Sequence, residues 1–304
     1  MDGTHAIGVD VGGTKILAGV VSRAGDVIRR HEIMTPLASQ AALIAGLEDA
    51  VAAVRGDAVG AVGFGLAAPI DQRSGSVVQA VNIPLADVEL RDELRTRIGL
   101  PVALANDAQA AAIGEWRAGA GRGVGDLVML TLGTGVGGGL VLDGKPYRGA
   151  TGAGGELGHV VVVHDGPPCQ GTCTGRGHLE TVASGRAATE AARKAFGPAA
   201  DAHRLIRLAD EGDEAAREIL ERIGGYVGSA LGSFVNVFNP ELIVIGGGFG
   251  IAAWDYLLPS AERVMRREAL RPGRDHVQIA RAELGTAAGL IGAAFVGFDA
   301  LDVA

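Results

Sequence analysis

Residues 6–30 read AIGVDVGGTKILAGVVSRAGDVIRR, in which two β-rich runs flank the turn Asp10-Val-Gly-Gly-Thr-Lys15. A second turn signal follows at residues 24–26. Short apolar runs separated by such turns predict β-strands joined as hairpins. Adjacent glycines at a strand end let backbone N–H groups face an anion, because no Cβ atom stands in the way. The chain is therefore predicted to begin with a hairpin sheet, whose first turn is either an ordinary turn or part of a phosphate site.

Strand and helix signals alternate along the rest of the chain. Helical spacing of apolar residues occurs at 37–55, 89–98, 106–118, 183–196, 213–236, 252–269 and 285–298. Short apolar runs typical of strands occur at 60–66, 102–105, 127–132, 138–142 and 241–245. This alternation predicts an α/β protein. Since 304 residues exceed the usual size of a single hydrophobic core, we expect two lobes with a ligand-binding cleft between them.

Charge and composition narrow the classes of partner. The formal net charge is −8 and the sequence has no basic stripe, so binding of nucleic acid or of an anionic membrane is not expected. Apolar stretches are interrupted by glycine and polar residues before they reach the roughly 20 residues of a membrane helix. The first residues leave no room for a secretion signal. A soluble, cytoplasmic protein is expected, and any phosphate must be held locally.

Two standard phosphate-binding motifs do not explain the glycine-rich loops. Residues 133–138 match G-x-G-x-x-G, but the strand-like Leu140-Val-Leu142 follows where a dinucleotide-binding fold needs a helix. The P-loop pattern G-x-x-x-x-G-K-[ST] does not occur in the sequence. Glycine-rich strand ends nevertheless recur at residues 12–13, 133–139 and 246–250. Their recurrence indicates one shared phosphate-bearing ligand.

An ordered set of motifs resembles the ROK family of sugar kinases. The motifs are Asp10-Val-Gly-Gly-Thr-Lys15, Gly63-Phe-Gly65 with Pro69, Asn106-Asp107, Leu132-Gly-Thr-Gly-Val-Gly-Gly-Gly139, Gly155-Glu156-Leu-Gly-His159 and Gly246-Gly-Gly248. The resemblance spans residues 7–298 and is greatest to the ATP-dependent bacterial glucokinases of that family. It implies a ribonuclease-H-like fold of the actin and hexokinase type, with two lobes and a central cleft. The small lobe would comprise residues 1–105 and 285–304, and the large lobe residues 106–284.

The resemblance also implies a nucleotide site for ATP and Mg²⁺. Residues that match the family's phosphate and nucleotide contacts are Asp10, Gly12, Gly13, Thr14, Lys15, Thr134, Gly135, Gly246, Gly247 and Gly248. Backbone amides and a metal ion suit phosphoryl transfer, which needs chiefly positioning and charge neutralisation. The expected reaction is therefore phosphorylation of a hexose by ATP.

The pair Asn106-Asp107 has two interpretations. It follows a predicted strand and begins a predicted helix, so it could simply cap that helix, which is worth about 1 kcal/mol. The resemblance implies instead that Asp107 accepts the proton of the attacking hydroxyl and that Asn106 binds the neighbouring hydroxyl. Further sugar contacts implied by the resemblance are Asn82, Glu156, His159 and Glu180.

Both cysteines of the chain lie in the stretch CQGTCTGRGHLE, residues 169–180. Many family members carry a structural zinc held by a histidine and a C-x-C-G-x-x-G-C cluster, and this spacing differs. The ligands that remain are His159, Cys169, Cys173 and His178, a set that suits tetrahedral Zn²⁺. The alternative is a loop that binds no metal. If zinc binds, one nitrogen of His159 would ligate it while the other addresses the sugar.

Sugar identity and function class leave alternatives open. Asn82-Ile-Pro84 lacks the Gly-Trp that often follows in glucokinases, so fructose, mannose, allose or an N-acetylhexosamine such as N-acetylmannosamine stays possible beside glucose. Sugar-responsive repressors share the fold but carry an N-terminal DNA-binding domain, for which no room is expected before Asp10. A sugar sensor without catalysis would have lost Asp107. The resemblance implies a homodimer or homotetramer.

Overall fold

The computed structural model describes residues 4–171 and 173–303. Its strands are β1 His5–Val11, β2 Lys15–Ser22, β3 Val27–Met34, β4 Val59–Leu66, β5 Ile70–Asp71, β6 Ser76–Gln79, β7 Ala86–Val88, β8 Val102–Asn106, β9 Leu127–Leu132, β10 Val136–Leu142, β11 Lys145–Pro146, β12 Leu242–Gly246 and β13 Gln278–Arg281. Its helices are α1 Gln40–Val54, α2 Leu90–Ile98, α3 Asp107–Ala118, α4 Leu179–Ala183, α5 Gly185–Phe196, α6 Ala202–Asp210, α7 Glu214–Phe238, α8 Gly248–Ala252, α9 Trp254–Glu268, α10 Gly273–His276 and α11 Ala288–Val303.

Two sheets share one strand pattern. The first has the order β3-β2-β1-β4-β8 and the second the order β11-β10-β9-β12-β13. In each, an antiparallel hairpin, β1–β2 or β9–β10, is extended on one side by parallel strands. Because the hairpins hold equivalent places, the glycine-rich turns at 12–14 and 133–135 lie at equivalent ends of their sheets. This is the ribonuclease-H-like architecture with two lobes that the sequence predicts.

The final helix, α11, packs directly on the first sheet. A Cβ atom at Gly8 or at Gly63 would collide with the carbonyl oxygen of Leu290 or Ala293, respectively. Helix and sheet backbones therefore touch without a layer of side chains, which only glycine permits. By length and composition the segment Gly285–Asp302 is apolar enough to cross a membrane, but 61% of it is buried inside the protein. Its apolar surface is used by the core.

Each sheet has a hydrophobic core of its own. One cluster joins β1, β2 and β4 to α1 and α2, with Phe64 and Leu47 fully buried. A second joins β9, β10 and β12 to α5, α6, α7 and α9, with Leu130 and Leu220 fully buried. Helices α3 and α11 pack against each other between the two sheets. The exact division into residues 1–105 with 285–304 and residues 106–284 stays a prediction.

The predicted helices and strands are confirmed, with shifts at their ends. The helix predicted at 37–55 starts at Gln40, because the Ser39 side chain accepts the Ala42 N–H and caps it. The helix predicted at 285–298 starts later, at Ala288, after a tight turn. Short elements were not predicted, namely β5–β7, β11, α4, α6, α8, α10 and β13. Apart from α6, which is as long as the predicted α2, each has two to five residues and carries too few apolar positions to show a period.

Candidate functional site

Two carboxylates meet at the edge where parallel strands end. Asp10 lies near the end of β1, and Asp107 is the first residue of α3, directly after β8. Because β1, β4 and β8 run parallel, their carboxyl ends reach the same sheet edge. Both side chains line one cavity of about 460 Å³, together with Gly246–Gly248, Gly285, Thr286, Ala288 and Gly289. The two residues predicted to act on the sugar and on the metal nucleotide thus share a cavity.

The cavity raises the proton affinity of both carboxyl groups. Burial raises the pKa of Asp107 to about 6; Glu156 adds to this, whereas the Ala108 N–H and the Asn106 side chain act against it. Burial, with the charge of Asp107, raises the pKa of Asp10 to about 6 as well. A general base works best when its pKa lies near the working pH. Asp107 is therefore placed to take a proton near neutral pH, and a cation beside Asp10 would relieve the crowded negative charge.

Activity and stability are predicted to respond to pH in opposite directions. Asp107 must be ionised to act as a base, so kcat/KM should fall by about tenfold per pH unit below pH ~6. The folded state holds these protons more tightly than the unfolded chain, so the free energy of unfolding should decrease as pH rises from about 4 to about 6. A pH–rate profile and melting curves across pH 4–8 measure both trends. A rate that stays flat from pH 7 to 5 would contradict the first.

The first glycine turn is held by its neighbours. The Gly12 N–H donates to the Lys15 carbonyl oxygen at 3.0 Å, and the Thr35 hydroxyl donates to the Gly12 carbonyl oxygen at 2.7 Å. A Cβ atom at Gly13 would lie 3.2 Å from Asn82, so the loop that carries Asn82 rests on this turn. Thr14 is exposed beside them. These contacts hold the backbone of the turn in one conformation.

Lys15 does not lie on the wall shared by Asp10 and Asp107. Its ammonium donates to Glu32 on β3 at 2.6 Å, and both side chains are about half exposed. It lines a neighbouring cavity of about 640 Å³ that also includes Asp10, Gly12 and Thr286. A phosphate contact by Lys15 therefore requires its pair with Glu32 to open.

The second glycine turn is fastened to two helices. The Gly185 N–H at the start of α5 donates to the Gly133 carbonyl oxygen at 2.8 Å. The Val136 N–H, just after Gly135, donates to Glu180 Oε2 at 2.8 Å. The predicted phosphate turn and the predicted sugar ligand Glu180 are therefore in direct contact.

The third glycine run lies between two cavities. Gly246 ends β12, Gly247 has φ +82° and would collide with Leu132 if it carried a Cβ atom, and Gly248 begins α8. Gly248 lines both the carboxylate cavity and a cavity of about 650 Å³ that includes Thr134. The glycine run therefore borders both cavities.

Asn106, a predicted sugar ligand, lies directly before Asp107 at the start of α3. Asn106 caps α3, because its Oδ1 accepts the N–H groups of Ala108 at 3.0 Å and Gln109 at 3.3 Å. Its amide NH₂ group is the donor that acts against the raised pKa of Asp107. The capping interpretation thus applies to Asn106, while its contact with the sugar and the role of Asp107 stay predictions.

Glu156 belongs to the same group of charges. Limited solvation in the cleft raises its pKa; His159 acts against this and Glu180 adds to it. Since Glu156 also raises the pKa of Asp107, the carboxylates of these residues lie within electrostatic reach of one another. Asn82 lies against Gly13, in the turn that follows Asp10. The cleft can therefore offer several acceptors and donors to a polyol.

The four predicted zinc ligands form one cluster. His159, Cys169, Cys173 and His178 each offer a ligand atom, and these atoms lie within 4.8 Å of one another. The Nδ1 atoms of the two histidines are 3.2 Å apart, Cys169 Sγ is 3.7 Å from His159 Nδ1, and Cys173 Sγ is 3.8 Å from His178 Nδ1. A zinc tetrahedron with Zn–N of about 2.1 Å and Zn–S of about 2.3 Å has edges of roughly 3.4–3.8 Å. The donor set fits a zinc ion in type and in size.

Some residues of the cleft gave no usable sequence signal. Gln109, nearly buried, donates through Nε2 to the carbonyl oxygens of Gly152 at 3.0 Å and Gly154 at 2.7 Å, which fixes the loop before Glu156. Thr131 and Thr286 line the carboxylate cavity. A glutamine or threonine in an apolar run is common in cores and loops, so only the three-dimensional arrangement reveals these positions.

Two sheets of one strand order around a carboxylate-lined cleft define the actin and hexokinase class of phosphotransferase folds. Comparison of the chain with family models matches residues 6–298 to the ROK family. The chain belongs to the ROK family, as its motifs predict.

Three relatives illustrate the range of the family. The chain is 35% identical to the glucokinase of Streptomyces coelicolor, covering 95% of this chain and 96% of that protein. It is 34% identical to the N-acetylmannosamine kinase of Yersinia pseudotuberculosis, covering 95% and 96%, respectively. Among solved structures, the Streptomyces griseus ROK-family glucokinase in complex with glucose and AMPPNP superimposes with a TM-score of 0.83 at 35% identity, over 97% of this chain and 99% of that one.

Proposed function

We propose that this chain transfers the γ-phosphoryl group of ATP to a hydroxyl group of a hexose, with glucose as the leading substrate. The observation that carries the proposal is the shared cavity of Asp10 and Asp107, flanked by glycine-rich segments. Similarity to glucokinases over nearly the whole chain supports it. The product of the reaction on glucose would be glucose 6-phosphate, which places the enzyme in carbohydrate metabolism, at the entry to glycolysis.

Asp107 is the proposed catalytic base. Its raised pKa suits removal of a proton from the attacking hydroxyl as the bond to phosphorus forms. Asn106 would donate its amide to the neighbouring hydroxyl and so fix the sugar in line with the donor. The remaining proposed sugar contacts are Asn82, Glu156, His159 and Glu180.

The donor side is proposed to use backbone amides. Gly12, Gly13 and Thr14 would face the phosphates from one sheet and Thr134 and Gly135 from the other, with Lys15 added once it leaves Glu32. Gly246–Gly248 would border the nucleoside. Asp10 would hold Mg²⁺, directly or through water, and the ion would neutralise charge on the transferred phosphoryl group.

Zinc is the proposed structural metal, held by His159, Cys169, Cys173 and His178. In His159 the Nδ1 atom faces the other ligands, so Nε2 is left for the sugar. The ion would thereby fix the orientation of one sugar contact without taking part in the chemistry.

The proposal is tested by coupled ADP release with Mg·ATP over glucose, mannose, fructose, allose, N-acetylglucosamine and N-acetylmannosamine. We expect glucose to give the highest kcat/KM. A preference for N-acetylmannosamine would keep the kinase and change its substrate, an outcome that the Yersinia relative makes worth testing. If no sugar stimulated ADP release although sugars raised the melting temperature, the protein would be a sensor and the catalytic proposal would fall.

The proposal also covers the protein's location, its partners and its oligomeric state. We propose a cytoplasmic enzyme whose partners are small molecules, a sugar and ATP, with neither nucleic acid nor membrane as a partner. A homodimer or homotetramer is proposed from the family resemblance, and sedimentation or light scattering measures it directly.

A further inference from the structure

Glu115 is a fully buried carboxylate that the proposed chemistry does not use. It lies near the end of α3 and has 0% exposed surface. Its Oε2 accepts the N–H groups of Ala120 at 3.0 Å and Glu283 at 3.1 Å, and its Oε1 accepts the N–H of Leu284 at 2.8 Å. A buried carboxylate is costly unless its oxygens are satisfied, and here backbone donors from two separate segments satisfy them.

These hydrogen bonds join the two places where the chain passes between the sheets. The chain first passes from β8 of one sheet, through α3, to β9 of the other. It returns from β13 through Glu283 and Leu284 into α11, which packs on the first sheet. Glu115 therefore fastens the return passage to the helix of the outward passage.

Helices α3 and α11 touch along their backbones beside this point. A Cβ atom at Gly114 would lie 2.5 Å from the Ala288 carbonyl oxygen and 3.0 Å from the Gly292 nitrogen. A Cβ atom at Gly292 would collide with the Ala110 carbonyl oxygen. With no side chains between their backbones, the two helices have one close-packed arrangement. Glu115 holds the loop between β13 and α11, which leads into this contact.

The same two helices carry the walls of the carboxylate cavity. Asp107 is the first residue of α3. Asp10 lies against the start of α11, since a Cβ atom at Gly289 would come within 2.6 Å of its carboxylate. The spacing of the two carboxylates follows from β1 and β8 of one sheet, whereas the position of α11 relative to α3 sets how the start of α11 packs against Asp10.

We infer that Glu115 is a positioning residue for phosphoryl transfer: it holds the return passage on α3 and thereby fixes the start of α11 against Asp10, in the cavity that Asp107 also lines. This inference rests on the proposed kinase function for its catalytic consequence. Glu115 itself touches neither substrate; it acts through the helices. Small displacements of reacting groups are costly, since about 1 Å can change a rate by roughly 100-fold.

The test compares E115Q with a matched control, E241Q. Glu241 also accepts two backbone N–H groups, from Gly125 at 2.7 Å and Asp126 at 3.1 Å, but it is exposed, and these hydrogen bonds hold the segment before β9 rather than the return passage. In E115Q an amide NH₂ replaces one acceptor and faces a backbone donor. We expect kcat to fall by about 10- to 100-fold, with a shifted acidic limb in the pH–rate profile, while E241Q stays within about twofold of wild type.

Hydrogen exchange at Glu283 and Leu284 gives a readout independent of catalysis. It should quicken in E115Q and stay unchanged in E241Q. If E115Q does not fold, G119A serves instead, because its methyl group would push against the Glu115 carboxylate while the charge remains. Quickened exchange with wild-type kcat, or a lower melting temperature with wild-type kcat and pH profile, would overturn the positioning role. Absence of sugar-dependent ADP release in the wild-type chain would instead overturn the kinase proposal, while unchanged exchange in E115Q would refute the fastening itself.

Discussion

Replacing Asp107 with asparagine is expected to lower kcat by about 10²- to 10⁴-fold and to leave the Kd of the sugar near its wild-type value. The amide keeps the size and hydrogen-bonding reach of the carboxylate but cannot accept a proton. The fold should persist, because Asn106 caps α3 and the asparagine oxygen can still accept the Ala108 N–H that Asp107 Oδ1 accepts at 2.9 Å. Removing a partly buried charge of raised pKa should, if anything, raise the melting temperature at pH 7.

Steady-state ADP release and sugar titration calorimetry separate the two effects. The matched control is D143N, which makes the same change in charge at an exposed turn after β10; its φ of +52° is one that asparagine tolerates. D143N should keep wild-type kcat. A D107N enzyme with wild-type turnover would remove Asp107 from the mechanism, and one that lost sugar affinity in proportion to turnover would make it a binding residue.

Replacing Cys173 with serine is expected to abolish stable zinc binding and to weaken the sugar site. The cluster would lose one of its two thiolates, and even residues behind metal ligands contribute about 10- to 100-fold to metal affinity. Without the ion, His159 is no longer oriented by its Nδ1 atom, so the KM for the sugar should rise by about tenfold or more. Metal analysis, melting curves and the KM for the sugar are the measurements.

The control for this variant is H164N, which changes an exposed histidine of the same loop that lies outside the cluster. H164N should retain about one zinc ion per chain and the wild-type melting curve. A wild-type protein without zinc, together with an unchanged melting curve for C173S, would identify the cluster as a loop that binds no metal.

The sequence predicts the first hairpin well because its turn is unusual. The adjacent Gly12 and Gly13 between β-rich runs leave few alternatives for the backbone, whereas for the second hairpin only the strands at 127–132 and 138–142 were predicted, on either side of Gly133-Thr134-Gly135. The long helices were predicted by apolar spacing, which needs several turns to be visible. The zinc ligands were predicted as a set because both cysteines fall in one short stretch, and the structure brings all four side chains together.

Contacts between segments that are distant in the sequence could not be predicted from local sequence patterns. Nothing in the local sequence of Glu115 indicates that its partners are Glu283 and Leu284, since the contact depends on how two helices cross. The hydrogen bond from the Val136 N–H to Glu180 likewise joins two motifs that sequence reasoning assigned to different ligands. Such contacts depend on the tertiary arrangement, which the spacing of apolar residues and the types of turn residue do not predict.

The repeated strand order gives the two sheets an approximate internal symmetry. The symmetry is broken at one pair of equivalent positions in the cavity, where one residue is charged and the other is neutral. Asp10 stands two residues before the turn at 12–14, and Thr131 stands two residues before the turn at 133–135, each near the end of the first strand of its hairpin. Both line the same cavity. A carboxylate at the threonine position would add a third negative charge to the cavity that Asp10 and Asp107 already share, and would increase its repulsion of an anion. Because Thr131 is neutral, both carboxylates of this cavity come from the first sheet and from the helix that directly follows it.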